Sequence, residues 1–222
     1  MEQLLLRDVE FFVLLKAAGI NYIPYFETSM EYGKTEVPYA IHEMARKGIL
    51  SLEEDGRLQV NTPYLQIIKA IKEYKGILML QSGEEKKNTK YIFLSDVWVL
   101  VQDNKNMDNG ILVEEVSIEE LQELVDDIIP SGDVLDCLED LEFVIPDEDT
   151  GICDLCITLG RKYENSTIKE CVKWEFFRGR YQPYVRESEL GMIRKLSRRE
   201  WNAEILLTRI NALREEKNND NG

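Results

Sequence analysis

Residues able to do chemistry are few in this 222-residue chain, and they are widely spaced. Cys153 and Cys156 form a CxxC, the spacing at which two thiolates can hold one zinc ion, and Cys137 and Cys171 complete the cysteines. A tetrahedral site needs four ligands, and one CxxC beside the lone histidine of the chain, His42, does not supply them at suitable spacing. Around the pair, Cys153, Leu155, Ile157 and Leu159 alternate as one face of a strand, so the thiols read as small buried hydrophobes. Without a secretion leader they are expected to be reduced. His42, in AIHEMARKG, is expected at the surface or boundary of an amphipathic helix. The adjacent carboxylates Glu53-Glu54 and Asp126-Asp127 fall at turn and helix positions where solvation accounts for them. The chain has no GxGxxG, Walker A, HExxH or GxSxG. The expectation is a protein that is not an enzyme, with no catalytic residues, no metal site and no cofactor.

The elements come from periodicity and punctuation. A helix is expected from about Arg7 to Ala18, stopped by Gly19, and a second is announced by Thr35 and Pro38 and runs to Gly48. Between Ile49 and Val60, alternating Leu50, Leu52, Leu58 and Val60 flank Asp55-Gly56, the pattern of a hairpin. Asn61-Thr62-Pro63 then opens a third helix, through Leu65, Ile68 and Ile71 to Gly76. Helix, helix, hairpin and helix form a winged-helix-like segment over residues 1–75. Winged helices often bind DNA, but the helix that would enter the groove carries Glu36 and Glu43. Its would-be wing tip is Glu53-Glu54-Asp55, where a phosphate contact belongs. Nucleic acid is therefore not expected as a partner.

From Gly76 the pattern turns strand-like: ILMLQS (77–82), KYIFLS and VWVLVQ, GILVEEV (110–116), then a helix capped by Ser117 and stopped by Pro130. After a connecting segment, 131–150, the order returns with strands near 151–159, 170–177, 179–185 and 190–196 and a helix from Ser197. An offset of 80 residues aligns the two stretches in polarity. Ser117 with Glu120, and Ser197 with Glu200, then coincide as capping boxes at both helix starts. The fold class expected is α+β: the winged-helix-like segment followed by a duplicated antiparallel β-meander plus helix unit, forming a central sheet with flanking helices. The boundaries are 1–75, a first repeat 76–130, the connection 131–150, a second repeat 151–213 and a polar tail 214–222, within one compact domain.

Composition agrees with a globular chain: 44% hydrophobic and 31% charged residues are too mixed for disorder or for a membrane protein. No apolar run approaches the roughly 18 residues of a membrane span, and the N-terminal stretch lacks the features of a signal peptide. Cytoplasmic localisation is expected, with no membrane partner. Forty-two acidic residues face 27 basic ones, a net charge of −15, which repels phosphate backbones and suits a basic protein partner.

The winged-helix-like start and the two strand-rich units with capped helices resemble the EspG-type chaperones of ESX, or type VII, secretion. So does the second unit's Gly179-Arg180-Tyr181 ahead of Gly191-Met192-Ile193-Arg194. The likeness runs from about Leu6 to Leu213. The chain is richer in Lys, Glu, Ile and Asn than the family's usual members, which implies a distant branch. The resemblance implies a cytosolic chaperone or targeting factor that holds a helical secreted client, a WXG-like or related helical hairpin. It implies contacts through the strands and loop around Ser82 to Leu94 and through the last helix. The partner-binding residues expected are Lys90, Ile92, Leu94, Trp201 and Ile205 in those regions, joined by Arg198 and Arg199 because the second helix start is basic where the first is acidic, on a monomer or homodimer. Trp98, Trp174 and Trp201 are candidate anchors, since aromatics dominate interface hot spots; Trp174, in alternating VKWEF, reads instead as core. The alternative function is a winged-helix-like regulator, or an immunity-type protein that binds a toxin.

Overall fold

The structure, a computed structural model, describes residues 3–23, 32–82, 88–129, 153–163, 167–177, 184–189, 191, 193–196 and 203–219. It opens with a strand the sequence pattern conceals, β1 (Gln3–Arg7), whose run of three leucines hides the alternation of Leu4 and Leu6 inward with Leu5 outward. Then follow α1 (Asp8–Ala17), α2 (Glu36–Arg46), the hairpin β2 (Leu50–Leu52) and β3 (Leu58–Val60), and α3 (Thr62–Glu73). Helices and hairpin fall where the punctuation placed them. Thr35 and Asn61 stand at the N-caps, and Gly56 takes φ 83°, the left-handed turn conformation that a side chain resists.

Four long strands come next: β4 (Gly76–Ser82), β5 (Asn88–Leu94), β6 (Trp98–Asn104) and β7 (Gly110–Val116). Beyond them lie α4 (Ile118–Ile128), β8 (Cys153–Lys162), β9 (Ile168–Phe177), β10 (Tyr184–Glu187), β11 (Ile193–Lys195) and α5 (Ala203–Asn219). The expected polar tail from residue 214 continues as helix to Asn219. Ser117 caps α4: the Glu120 N–H donates to its hydroxyl at 3.1 Å, and the Ser117 N–H donates to the Glu120 carboxylate at 2.8 Å. The matching box at Ser197 and Glu200 lies outside the described residues, as do the connection at 131–150 and Pro130.

The chain divides into two compact units, Met1–Lys75 with Lys90–Val116 and Glu164–Ile168, and Gly76–Thr89 with Ser117–Tyr163 and Lys169–Gly222. In the first, the strand order is β1-β7-β6-β5, antiparallel throughout. One face of that sheet buries Leu4, Leu6, Val99, Val101, Val113 and Phe93, with α1 packed on β1 and β7 and α3 against β6. In the second unit the order is β4-β8-β9-β10-β11, and β4 pairs with β8 along its length, from Gly76 opposite Arg161 to Ser82 opposite Leu155. Its core holds Leu78, Leu80, Ile157, Leu159, Val172, Trp174 and Phe176 with Leu121 and Val125 of α4 and Leu206 and Ile210 of α5.

One ionised group is buried at the start of α1. Glu10 is 1% exposed; its carboxylate accepts the Arg7 N–H at 2.8 Å and Lys47 Nζ at 3.0 Å, with the Arg7 guanidinium at 3.5 Å. It thereby joins the end of β1, the first turn of α1 and the last turn of α2. Burial works to raise its pKa, but the Arg7 N–H and the Lys47 ammonium outweigh it and hold the carboxyl below the ordinary glutamate value. A depressed folded-state pKa stabilises fully above the unfolded-state pKa, and that stability is lost as pH falls through the folded value. Glu10→Gln is therefore expected to cost about 1–3 kcal/mol at neutral pH in urea unfolding. The gap to wild type should narrow as pH falls below the ordinary glutamate range; a gap independent of pH would show that the charge contributes nothing.

Candidate partner-binding surfaces

In an antiparallel sheet, residues directly opposite one another share a face, so register alone assembles surfaces. On the side of the first unit's sheet away from Leu4 and Leu6, one row crosses all four strands: Leu5 opposite Leu112, Leu112 opposite Gln102, Gln102 opposite Lys90. Leu5 is 48% exposed, and Leu112, Gln102 and Lys90 are each partly exposed. The next row runs from Gln3 through Glu114 to Leu100 and Ile92, and here the Gln3 side-chain amide donates to Glu114 at 3.0 Å. The face thus grades from open at Leu5 to buried at Leu100 and Ile92.

Of the residues expected to touch a partner, three lie on β5. Lys90 is on the open row. Ile92 and Leu94 are corrected: they are 0% and 4% exposed, because the Ile92–Leu94 end of β5 is covered on both faces, where Phe93 too is buried. They hold the strand in place and offer no surface to a docking protein. Trp98, opposite Leu94, is buried with them, and Trp174 is fully buried in the second unit, so neither indole is an exposed anchor. Arg198, Arg199 and Trp201 lie outside the described residues. Ile205 lies on α5, partly exposed and two residues from buried Ala203, about 200° around the helix and away from the line Ala203, Leu206, Ile210.

Lys90 has a distinctive environment. Burial pushes its ammonium below the ordinary lysine value, Glu114 pulls it back up, and Lys105 adds to the lowering. A cation partly withdrawn from water, opposite Gln102 on the open row, can bind a partner's carboxylate with little further desolvation. On β9 and β10 the charges satisfy one another. In the second unit, Glu175 takes Lys173 at 3.0 Å and both Arg186 Nε at 2.8 Å and its terminal nitrogen at 2.6 Å, across the register that sets Arg186 opposite Glu175. Burial would raise the Glu175 pKa, yet the two cations hold it down; Lys173 is raised, with Glu175 outweighing burial. Arg186 also lies over the Phe177 ring, and Arg209 of α5 clamps Glu187 at 3.1 Å.

The CxxC lies on β8, where side chains alternate faces with period two. Cys153 and Cys156, three residues apart, point to opposite sides of the sheet and cannot share an ion. Cys156 is buried, with its thiol 3.7 Å from the Thr158 hydroxyl. Among the described residues, no group of three or more His, Cys, Asp or Glu side chains is placed to hold a metal. His42 is exposed on α2, and the hairpin tip Glu53, Glu54 and Asp55 is exposed, with Asp55 paired to Arg57 at 3.2 Å. No helix of the described residues is long and apolar enough to cross a membrane. The open row was missed by sequence reasoning because it depends on β1, and only the pairing of β1 with β7 shows that Leu5 and Leu112 are neighbours.

No family model matches the sequence, and no curated protein matches it. Among solved structures, the chain is similar to the Mycobacterium tuberculosis type VII secretion system chaperone EspG5, determined in complex with a PE25-PPE41 dimer. The two are 11% identical, with a TM-score of 0.57 over 96% of this chain and 95% of that chain. The likeness extends over nearly the whole of both chains and shows a common mixed α+β fold.

The burial difference along β5 and β1 has a measurable counterpart. Ile92→Ala should cost about 2–5 kcal/mol in chemical unfolding, whereas Leu5→Ala should stay within about 0.5 kcal/mol of wild type. Equal losses at the two positions would contradict the grading of this face from open at Leu5 to buried at Ile92.

Proposed function

We propose that this protein is a chaperone or targeting factor that binds a helical secreted client of a type VII, ESX-like, secretion system. The observation that carries the reading is the end-to-end structural similarity to EspG5, itself a chaperone of such a system in complex with a protein dimer. The residue inventory agrees: with no catalytic constellation found in the sequence, the protein acts by binding and not by turnover. In this reading the N-terminal helices and hairpin are a winged-helix-like scaffold whose acidic tip keeps it off nucleic acid. The two strand-rich stretches, each ending in a Ser-x-x-Glu helix start, descend from one duplicated unit.

The client contacts assigned here are Lys90 on the open row, Ile205 on α5, and the basic pair Arg198 and Arg199 with Trp201. Lys90 supplies a partly desolvated cation and Ile205 an apolar side chain turned off the core. Aromatic and arginine side chains carry much of the energy of protein interfaces. A client helix with carboxylates beside its apolar stripe satisfies both needs, as amphipathic helices do when they dock into partly apolar surfaces.

Co-expression with helical-hairpin proteins encoded beside its gene, followed by affinity purification, should recover a stable complex. Lys90→Glu, Ile205→Asp and the double change Arg198→Glu with Arg199→Glu should each weaken the client at least about tenfold, or about 1.4 kcal/mol, without moving the unfolding midpoint. If no helical client co-purifies, the chaperone reading fails. Full affinity in all three variants would move the client to another surface. Rescue of cells from a basic toxin, without any secreted client, would favour the immunity-type alternative that the net charge of −15 also suits.

A further inference from the structure

Among the described residues the outer edge of β1 is open, and its geometry says which groups it offers. Antiparallel ladders alternate bonded and non-bonded pairs. The Asp8 N–H donates to the Asn109 carbonyl at 2.9 Å, so stepping by two makes Leu6 with Ile111 and Leu4 with Val113 the bonded pairs of β1 and β7. The N–H and C=O groups of Gln3, Leu5 and Arg7 therefore point away from β7. Arg7 conforms, because its outward N–H is taken by Glu10 at 2.8 Å. Gln3 and Leu5 carry no such plug, and among the described residues β1 pairs with β7 alone. The usual guards of an edge are missing between Gln3 and Arg7: there is no proline, no lysine and no bulge.

We propose that β1 pairs antiparallel with β1 of a second copy of this chain, across a two-fold axis at Leu5. In that register Leu5 faces Leu5 as a bonded pair, and Gln3 of each copy faces Arg7 of the other. Two bonds form between the Leu5 main chains; the Arg7 carbonyl, which serves α1 as its N-cap acceptor, and the capped Arg7 N–H take no part. A second copy fits this edge because the run Gln-Leu-Leu-Leu-Arg is complementary to its own reverse. The Arg7 guanidinium arrives beside Gln3, whose amide already holds Glu114 on the same face at 3.0 Å, so opposite charges meet twice by symmetry. Arg7 can turn to Glu114 without stranding Glu10, which keeps Lys47 at 3.0 Å while Arg7 is only a 3.5 Å contact. The two Leu5 side chains, each 48% exposed, cover one another beside Leu112.

Each copy carries a net charge of −15, so long-range repulsion opposes the dimer, and salt should strengthen it. Sedimentation velocity on the full chain over a concentration series, at low and high salt, is the test, together with amide hydrogen exchange at Gln3 and Leu5. The expected result is a reversible dimer that tightens with salt, with the Leu5 amide exchanging more slowly as concentration rises. Leu5→Lys and Leu5→Pro, the latter removing the outward N–H that bonds across the axis, should each weaken it at least about tenfold with the unfolding midpoint kept. Glu114→Lys should weaken it by removing the cross-copy attraction. A chain monomeric at every concentration would overturn the proposal, as would a dimer indifferent to both edge variants. Protection of Leu5 that appears only when a client protein is added would overturn it too, by giving the edge to the client.

Discussion

The first unit depends on the register in which β6 meets β7. Because side chains alternate faces, a slip of β6 by one residue against β7 would carry Val99 and Val101 from the covered side, where Val113 lies, to the open one and bring Leu100 and Gln102 the other way. Local chemistry at the turn resists that slip. Asn109 sits at φ 52°, a conformation asparagine tolerates better than most residues, and Gly110 follows where an added Cβ would stand 2.7 Å from the Met107 Cβ. The β1 pairing and the row from Leu5 to Lys90 are both referenced to this one junction.

Much of this organisation was readable in the chain. The Ser117 box, the Asp55-Gly56 hairpin and the Asn61-Thr62-Pro63 helix start are short-range signals, in which the residues that define the element also satisfy its backbone groups. What escaped was set by partners distant in sequence. β1 was hidden because three consecutive leucines erase the period-two signal, and only pairing with β7 decides that Leu5 faces outward. Ile92 and Leu94 were candidates only through the family resemblance, which points to a region and not to a face, whereas this end of β5 is buried on both. The two cysteines of the CxxC were readable as strand residues, and the strand's own periodicity then separates them.

The surfaces differ in how far their charges are committed. On β9 and β10, Lys173, Glu175 and Arg186 satisfy one another within a single cross-strand cluster, and Glu187 is clamped by Arg209. Such groups fix strand against strand and strand against helix. On the open row the side chains are sparser and Lys90 is half out of water, so recognition there has unspent polar capacity. A chain with so large an acidic excess can still present a locally basic contact.

The pairing of β1 with β7 also has a consequence for the order of assembly. Gln3 and Glu114 are 111 residues apart in the chain yet bonded to each other. During synthesis the leucine-rich strand emerges long before its only described neighbour exists, and the loop that must close is among the costliest to form early. Until then an apolar strand with two free edges is open to irregular association, the hazard of folding through long-range pairing. The first strand is therefore a segment that needs protection from premature contacts while the chain is being made.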